Sequence, residues 1–324
     1  MSPTTLTAGA RPIAAIDIGT NTTLLLVARA GATATDADVL AEAAEITRLG
    51  RGIGRDGALG TEGIARTLEV LRRYAATAAA HGADIAAIGT EALRRAPNAR
   101  DFLDAAAAIL GTPVEVISGE REAALTFRAV AASFPGELAA GTVAIIDIGG
   151  GSTEIVVAER GEVSFRTSLP LGSVRLTERH IRTDPPTPAE LRAIDDDVRA
   201  TLTAADAAFA RGPFHALIGV AGTVTSLSAM ALGIASYDPV VVHGSTLSLA
   251  ALDAQIARLA SATQAEREAI AGLDPRRADV ILAGALLLRE ITRRAGTGAV
   301  KVSDRGIRWG LFHERAEAQG ALSA

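Results

Sequence analysis

The 324-residue chain has no cysteine, which excludes disulfides, thiolate zinc sites and thiol catalysis. Its five histidines, His81, His180, His215, His243 and His313, are scattered without metal-ligand spacing, so a histidine-rich metal centre is not expected. One Trp, two Tyr and seven Phe leave little material for a base-stacking platform along a nucleic acid. No run of about 20 apolar residues occurs, so no membrane-spanning helix is expected. The first residues lack a cationic start followed by an apolar stretch, so no signal peptide is expected and the cytoplasm is the default compartment. A net charge of −5 disfavours a general nucleic-acid coat but leaves room for a local basic cleft that takes a polyanion. At 48% hydrophobic content, a chain of this length can bury a large core, and two domains are the natural division.

What is present is a stretch that occurs twice. Ala15-Ile16-Asp17-Ile18-Gly19-Thr20-Asn21-Thr22-Thr23 returns, 130 residues on and without a gap, as Ile145-Ile146-Asp147-Ile148-Gly149-Gly150-Gly151-Ser152-Thr153. An apolar run follows each copy. The β-branched run 143–148 suits a buried strand. The glycines suit a tight turn with no Cβ to block backbone approach, and Ile155-Val156-Val157 is strand-like again. The pattern is therefore a strand–turn–strand hairpin. A Walker A loop would need a Lys-Ser/Thr pair and a following helix, and a dinucleotide fingerprint would need a helix after the glycines. Exposed amides and the hydroxyls of Ser152 and Thr153 can cradle an anion such as phosphate. A purely structural hairpin is the alternative for one copy. Two copies at fixed offset favour paired phosphate loops.

Paired Asp-x-Gly hairpins resemble those of the actin/Hsp70/sugar-kinase superfamily. Four segments narrow the resemblance: Asp17–Thr22, Gly89-Thr90-Glu91-Ala92-Leu93-Arg94, Ile117-Ser118-Gly119-Glu120-Arg121-Glu122-Ala123 and Asp147–Glu154. In combination they resemble the exopolyphosphatase/guanosine pentaphosphate phosphatase (Ppx/GppA) family from about residue 13 to about 315. The resemblance implies an α/β protein of two duplicated ribonuclease H-like (actin-like ATPase) domains with an interdomain active-site cleft. The expected division is a disordered tail over 1–11, a first domain over 12–135 and a second over 136–304, with a helix at 305–318 returning to the first. Long family members carry a further helical domain, and the resemblance here is to a short form in which none is expected.

Local signals place the other elements. Thr61–His81 reads as a helix with Ile64, Leu68 and Leu71 on one face. Asn98 and Ser118 read as N-caps, and Thr187-Pro188-Ala189-Glu190 as a capping box opening a helix to about Arg211. Asp274-Pro275 reads as the start of a helix containing Val280–Arg293. Ile46–Gly54 is a glycine-rich basic loop, and Ser133–Gly141 reads as the crossover between domains.

The repeats differ at one informative place: Leu24 corresponds to Glu154. A carboxylate in an apolar strand is costly unless paired or metal-linked, although strand alternation also lets it face solvent. With the resemblance, Asp147 and Glu154 are expected to hold a divalent cation, Mg²⁺, through oxygen ligands and waters. The resemblance selects Glu122, ahead of Ala123, as the general base. Helix-dipole preference alone fits Glu120 equally well. Arg121 stands where many relatives carry a second acid, and Trp309 stands for the usual acidic residue of a C-terminal segment. Asp17, Gly19, Thr20, Asn21, Thr22, Arg94, Gly149, Gly150, Gly151, Ser152 and Thr153 are the expected phosphate-binding set, Arg94 because its fork of donors suits phosphate oxygens. Arg95 reads as its solvated neighbour. Arg48, Arg51, Arg175, Arg305 and Arg308 are weaker candidates for a basic track. Gly222 and Thr223, in a third glycine loop, are candidate distal substrate contacts.

The expected activity is release of terminal phosphate from inorganic polyphosphate. The alternatives are hydrolysis of guanosine pentaphosphate in stringent-response signalling, a sugar or acid kinase, and a non-catalytic nucleotide sensor. A homodimer is a family-based expectation.

Overall fold

The computed structural model describes residues 11–31, 36–53 and 57–320. The tail expected over 1–11 falls outside them except for Arg11, as does Gly54 of the basic loop. The chain forms two compact units. One holds the described residues up to Ser133 together with those from Ile307; the other runs Phe134–Gly306.

The first unit is built on β1 (Ile13–Ile18), β2 (Thr22–Arg29), β3 (Asp38–Ile46), α1 (Thr61–Ala80), β4 (Asp84–Gly89), α2 (Glu91–Arg95), α3 (Ala99–Leu110), β5 (Val114–Val116) and α4 (Gly119–Ser133). Its sheet runs β3-β2-β1-β4-β5, antiparallel through β1–β3 and parallel from β1 through β4 to β5. β1 is buried along its whole length, as a central strand covered on both faces must be. Alternation then sorts its side chains. Ala14, Ile16 and Ile18 join Leu71 and Tyr74 of α1 and Phe102 of α3. Ile13 and Ala15 join Leu125 and Ala129 of α4 and the returning C-terminal helix.

The second unit contains α5 (Pro135–Ala140), β6 (Thr142–Ile148), β7 (Thr153–Glu159), β8 (Glu162–Leu169), α6 (Ser173–His180), α7 (Pro188–Leu202), α8 (Asp206–Phe209), β9 (Ala216–Val220), α9 (Ala221–Leu232), α10 (Pro239–Val242), β10 (Thr246–Ser248), α11 (Leu249–Ser261), α12 (Gln264–Glu268), α13 (Ile281–Ala295) and β11 (Ala299–Val302). Its sheet order is β10-β11-β9-β6-β7-β8. Ile146, Ile148, Ile155 and Val157 pack under α7, α9, α11 and α13. α14 (Ile307–Ala318) belongs to the first unit. The whole is a two-domain α/β fold on two mixed sheets.

Several sequence expectations are corrected. The buried face of α1 is Gly63, Thr67, Val70, Leu71, Tyr74 and Ala78. Ile64 and Leu68 lie at its margin, because the small Gly63 and Thr67 let the helix approach the loop at Leu49. Asn98 does not cap α3: its side chain accepts from Leu59 N at 2.8 Å and donates to Leu59 O at 3.0 Å. Ser118 does cap α4, its hydroxyl accepting from Arg121 N at 3.2 Å. The Thr187/Glu190 capping box forms, and the Thr183 hydroxyl and Thr187 amide pull the Glu190 carboxyl down to about 2. The helix it opens ends at Leu202 rather than near Arg211, passing into a 3₁₀ turn. Asp274-Pro275 opens only a 3₁₀ turn, and α13 starts separately at Ile281. The sequence reading placed no element between Gly233 and Leu273, where α10, β10, α11 and α12 lie.

Trp309 gains a physical account. It is 3% exposed and meets Phe312 edge-on, with ring centroids 6.0 Å apart, inside the cluster between β1 and α4. α14 is tied to α4 by Arg121–Glu314 and Arg128–Glu317, each at 2.5 Å. The hydrogen bond to Glu314 raises the Arg121 pKa above its ordinary value.

Candidate active site

The two repeated hairpins fold alike. In the first, Gly19 N donates to Thr22 O at 3.0 Å; in the second, Gly149 N donates to Ser152 O at 3.0 Å. A Cβ at Gly19 would stand 2.9 Å from the Thr22 carbonyl oxygen, which would have to shift, and one at Gly149 3.2 Å from that of Ser152, a tight contact that a small shift relieves.

Each hairpin is braced from behind by a second glycine. In the first unit Gly50 N donates to Thr20 O at 2.8 Å and Arg48 N to Asn21 O at 2.9 Å. In the second, the start of α6 caps the glycine loop. Ser173 N donates to Gly149 O at 3.0 Å, Val174 N to Gly150 O at 3.0 Å, and Arg175 N to the same oxygen at 3.1 Å. Arg175 Nε adds a bond to Gly151 O at 2.8 Å. Gly172 lies so close that a Cβ there would meet Gly150 O at 2.3 Å. The loop carbonyls are thus consumed within the protein, which leaves the loop amides as the groups able to face an anion.

The side chains divide by use. Thr153 is fully buried and its hydroxyl donates to Leu171 O at 2.8 Å; its first-unit counterpart, Thr23, pairs with Thr47 at 3.1 Å. These two hydroxyls hold the hairpins together. Thr20 donates to Glu91 Oε2 at 3.3 Å, and Arg95 reaches Glu91 Oε1 at 3.0 Å. Arg95 is therefore the counter-ion of a buried carboxylate, a partnership the sequence reading missed. Asn21 is buried and its Nδ2 finds no hydrogen-bond partner among the described residues. An anion oxygen is the ligand such a donor fits.

Arg94 and Glu122 meet directly. Arg94 Nη1 donates to Glu122 Oε1 and, at 2.6 Å, to Ile117 O. Glu122 sits in the first turn of α4 and is 3% exposed. The expected base and the expected phosphate ligand are thus brought together within one unit, one delivered from the end of β4 and the other from the start of α4.

In the second unit Asp147 and Glu154 face each other across the β6–β7 ladder. They are 5% and 2% exposed, so Glu154 is not the solvated strand residue that alternation also allowed. Ser168 Oγ donates to Glu154 Oε1 at 2.7 Å. No cluster of three or more His, Cys, Asp or Glu able to hold a metal occurs among the described residues. A Ca²⁺-type protein cage is therefore not built here, whereas Mg²⁺ takes one or two carboxylates and completes its shell with waters and substrate phosphates. The donor set fits that second mode.

The third loop follows β9. Ala221 has φ +69°, an unusual conformation for a residue with a Cβ, and α9 starts there. The Arg277 guanidinium lies flat against Gly222: a Cβ there would meet Nη1 and Nη2 at 2.3 Å. Burial holds the Arg277 pKa below its ordinary value, opposed by Asp274 and Tyr237. Thr223 is buried against Gly284 of α13. Arg277 comes from a 3₁₀ turn 54 positions downstream of Thr223, and no local signal pointed to it. Of the other arginines proposed for a basic track, Arg308 pairs with Glu42 at 3.4 Å and Arg175 serves the glycine loop.

With this geometry in view, comparison with known proteins is decisive. A model of the Ppx/GppA phosphatase family matches residues 26–319. The chain belongs to this family. It is 37% identical over 313 residues to exopolyphosphatase 2 of Mycobacterium tuberculosis, covering 92% of this chain and 97% of that one. It is 32% identical over 311 residues to the guanosine-5'-triphosphate,3'-diphosphate pyrophosphatase of Vibrio vulnificus, covering 95% of this chain but 60% of that one. Among solved structures, this Ppx/GppA family member is similar to an exopolyphosphatase from Cytophaga hutchinsonii, with TM-score 0.87, 27% identity and coverage of 97% and 100%. It is also similar to the Aquifex aeolicus family member, with TM-score 0.78, 32% identity and coverage of 96% and 99%. No helix among the described residues is long and apolar enough to cross a membrane.

Proposed function

We propose that the protein is an exopolyphosphatase, a phosphoanhydride hydrolase that removes terminal phosphate from inorganic polyphosphate in the cytoplasm. The observation that carries the reading is the Arg94–Glu122 contact, a buried carboxylate held beside a cation that can take a phosphate. The 37% identity with an exopolyphosphatase along nearly the full length of both chains supports it.

The roles are assigned unit by unit. In the first, Glu122 takes a proton from the attacking water as the water oxygen bonds to the terminal phosphorus. The bridging P–O bond breaks, and its electron pair leaves with the shortened chain. Arg94 uses Nη1 for Glu122 and Ile117, and its other N–H groups suit a phosphate oxygen. The backbone amides of Thr20 and Asn21 and the Asn21 side-chain amide bind further oxygens, while the Gly19 amide closes the turn onto Thr22 O. In the second unit, the amides of Gly150, Gly151 and Ser152 and the Ser152 hydroxyl bind phosphate, the Gly149 amide being used to close the turn, while Asp147 and Glu154 hold Mg²⁺. When bound, the cation screens phosphate charge and stabilises the charge that develops in the transition state. Thr153 is fully buried with its hydroxyl spent on Leu171, so it serves the hairpin rather than the phosphate.

A second reading, hydrolysis of guanosine pentaphosphate, is favoured by the Arg277 guanidinium on Gly222, which offers a cationic place for a distal phosphate group. The test is Mg²⁺-dependent phosphate release from long-chain polyphosphate and from guanosine pentaphosphate in parallel, with Glu122→Ala as control. Faster, Glu122-dependent release from polyphosphate supports the first reading, and faster release from the nucleotide moves the assignment to the second. Release from neither sinks both. A homodimer is proposed from the family and is checked by light scattering.

A further inference from the structure

We propose that Glu91 is a positioning residue for phosphate capture. It holds Thr20 so that the Thr20 and Asn21 amides face the anion, and Arg95 neutralises Glu91 so that its carboxylate does not repel that anion. The inference deepens the proposed function and rests on the reading of the first hairpin as a phosphate loop.

Strand order brings the three residues together. β4 runs parallel to β1 with Gly89 opposite Ile18, and Thr90 N donates to Ile18 O at 3.2 Å. Where the first hairpin turns at Gly19, the neighbouring strand therefore passes directly into Glu91, the first residue of α2. Ala92 and Leu93 seat α2 in the core. Leu93 N and Arg94 N close its start on Thr90 O, at 3.0 and 3.1 Å. Glu91 is buried beside the turn, and its Oε2 accepts from the Thr20 hydroxyl at 3.3 Å.

Thr20 is engaged at every group but its amide. Its carbonyl accepts from Gly50 N at 2.8 Å. Its methyl lies against Gly50, where an added Cβ would meet Thr20 Cγ2 at 2.4 Å. Its hydroxyl donates to Glu91. The amide N–H has no acceptor among the described residues. A carboxylate only accepts, so the Thr20 hydroxyl proton is committed to Glu91, and the lone pairs it keeps do not attract an anion. Thr20 therefore meets phosphate through its amide, and its side chain sets where that amide sits.

The duplication shows why the side chain is needed. The position 130 residues on from Thr20 is Gly150, which has no side chain to hold. There two amides brace the loop, Val174 N and Arg175 N on Gly150 O at 3.0 and 3.1 Å. The first hairpin has one such amide, from Gly50. The Thr20–Glu91 bond supplies the second brace.

A buried carboxylate needs a partner of its own. Arg95, one turn on in α2, places Nη1 3.0 Å from Glu91 Oε1 while its side chain stays 44% exposed. Without Arg95, a negative charge would stand behind a loop that takes a polyanion, and like charges brought together cost affinity.

The test is calorimetric binding of tripolyphosphate, with Mg²⁺ present, to the full chain in a Glu122→Gln background that prevents turnover. KM and kcat for long-chain polyphosphate are measured with Glu122 in place. The variants are Thr20→Val, Thr20→Ser, Glu91→Ala and Arg95→Ala, together with Glu91→Ala combined with Thr20→Val and with Arg95→Ala. Each is checked by thermal melting, and Thr20→Val decides alone should Glu91→Ala fail to fold. Thr20→Val and Glu91→Ala are each expected to weaken binding and raise KM by about tenfold. kcat is largely kept, the pattern of lost uniform binding. Their combination is no weaker than the worse single variant, because both remove one bond. Thr20→Ser, which keeps the hydroxyl, retains most of the affinity. Arg95→Ala weakens binding where Glu91 is present and adds nothing to Glu91→Ala.

Parental affinity and KM in Thr20→Val overturn the proposal. So do additive losses in the combined variant, a loss of kcat at unchanged affinity, or no tripolyphosphate binding by the parent. A further loss on adding Arg95→Ala to Glu91→Ala overturns the neutralising role and makes Arg95 a phosphate ligand. Coupled Thr20 and Glu91 effects on binding, in a protein that hydrolyses neither polyphosphate nor guanosine pentaphosphate, uphold the positioning role and overturn the proposed reaction instead.

Discussion

Asp147 stands directly opposite Glu154 on neighbouring antiparallel strands, while the duplicated position in the first unit sets Asp17 opposite Leu24. Two buried carboxylates in cross-strand register repel unless a cation or proton separates them. Only the second copy thus pairs two carboxylates, the arrangement on which the proposed Mg²⁺ site rests. Asp147→Asn and Glu154→Gln are each expected to raise the Mg²⁺ concentration for half-maximal phosphate release by about tenfold or more. Ser168→Ala, which removes a hydrogen bond to Glu154, should have a smaller effect in the same direction. An unchanged Mg²⁺ titration in both carboxylate variants would remove the metal assignment. Chelation should abolish release reversibly.

Glu122→Gln should lower kcat by about 10²–10⁴ while the protein folds normally, as loss of a general base does. Arg94→Ala should cost stability as well, on the order of 2 kcal/mol, because Glu122 is left buried without its cation. Combining the two substitutions should recover much of that stability, and urea titration of the four proteins measures the coupling.

Gly172→Ala places a Cβ 2.3 Å from Gly150 O, a backbone atom that cannot swing aside. The glycine loop must shift, with an expected loss of about 1–3 kcal/mol and of most phosphate release. Gly136→Ala is the matched control: nothing lies within 4 Å of the added atom, and α5 should be unchanged or slightly more stable. Equal behaviour of the two variants would refute the bracing role of Gly172.

Trp309→Glu restores the kind of residue that the family resemblance puts at this position. Here the site is apolar core, so the variant should lose about 3–5 kcal/mol, as large aromatic deletions do. A urea midpoint equal to wild type would show that α14 does not depend on this contact.

His243 has its pKa held below the usual value by burial first and by Arg305 second, with Asp304 opposing. The unfolded chain therefore takes up a proton before the folded one as pH falls. The stabilisation is complete above about pH 6.5, the ordinary imidazole value, and declines below it until the folded group titrates. Protonation also removes the Nδ1 acceptor used by Asp304 N. The slope of urea-midpoint stability between pH 7.5 and 5.5 is expected to flatten in His243→Asn.

Much of the fold was legible because its signals are local. Apolar β-branched runs, the Gly-Gly-Gly turn, the Thr187/Glu190 box and the Ser118 cap are each set by neighbours within a few residues, and the structure carries all of them. The errors came where a tertiary partner outbid the local preference. Asn98 left its helix for the backbone of Leu59, and the face of α1 rotated toward the residues that let it pack most closely. Within residues 233–273, α10, β10 and α12 are too short to carry a period, whereas α11, with Leu252, Ile256 and Leu259 at helical spacing behind the Ser248 cap, carried a local signal that went unread.

By itself the sequence determined the duplication, the two hairpins and the family, and it put Asp17, Asp147 and Glu154 on the hairpin strands and Glu122 in the first turn of a helix. Their spacing is covalent, and a turn closed by glycine needs no distant help. Tertiary structure alone decided that Glu122 meets Arg94, that Thr153 spends its hydroxyl on Leu171, that Arg277 lies on Gly222 and that Tyr237 reaches Asp304. These are contacts between groups far apart in the chain. They exist only after strand order and helix packing have met the entropy cost of bringing their segments together.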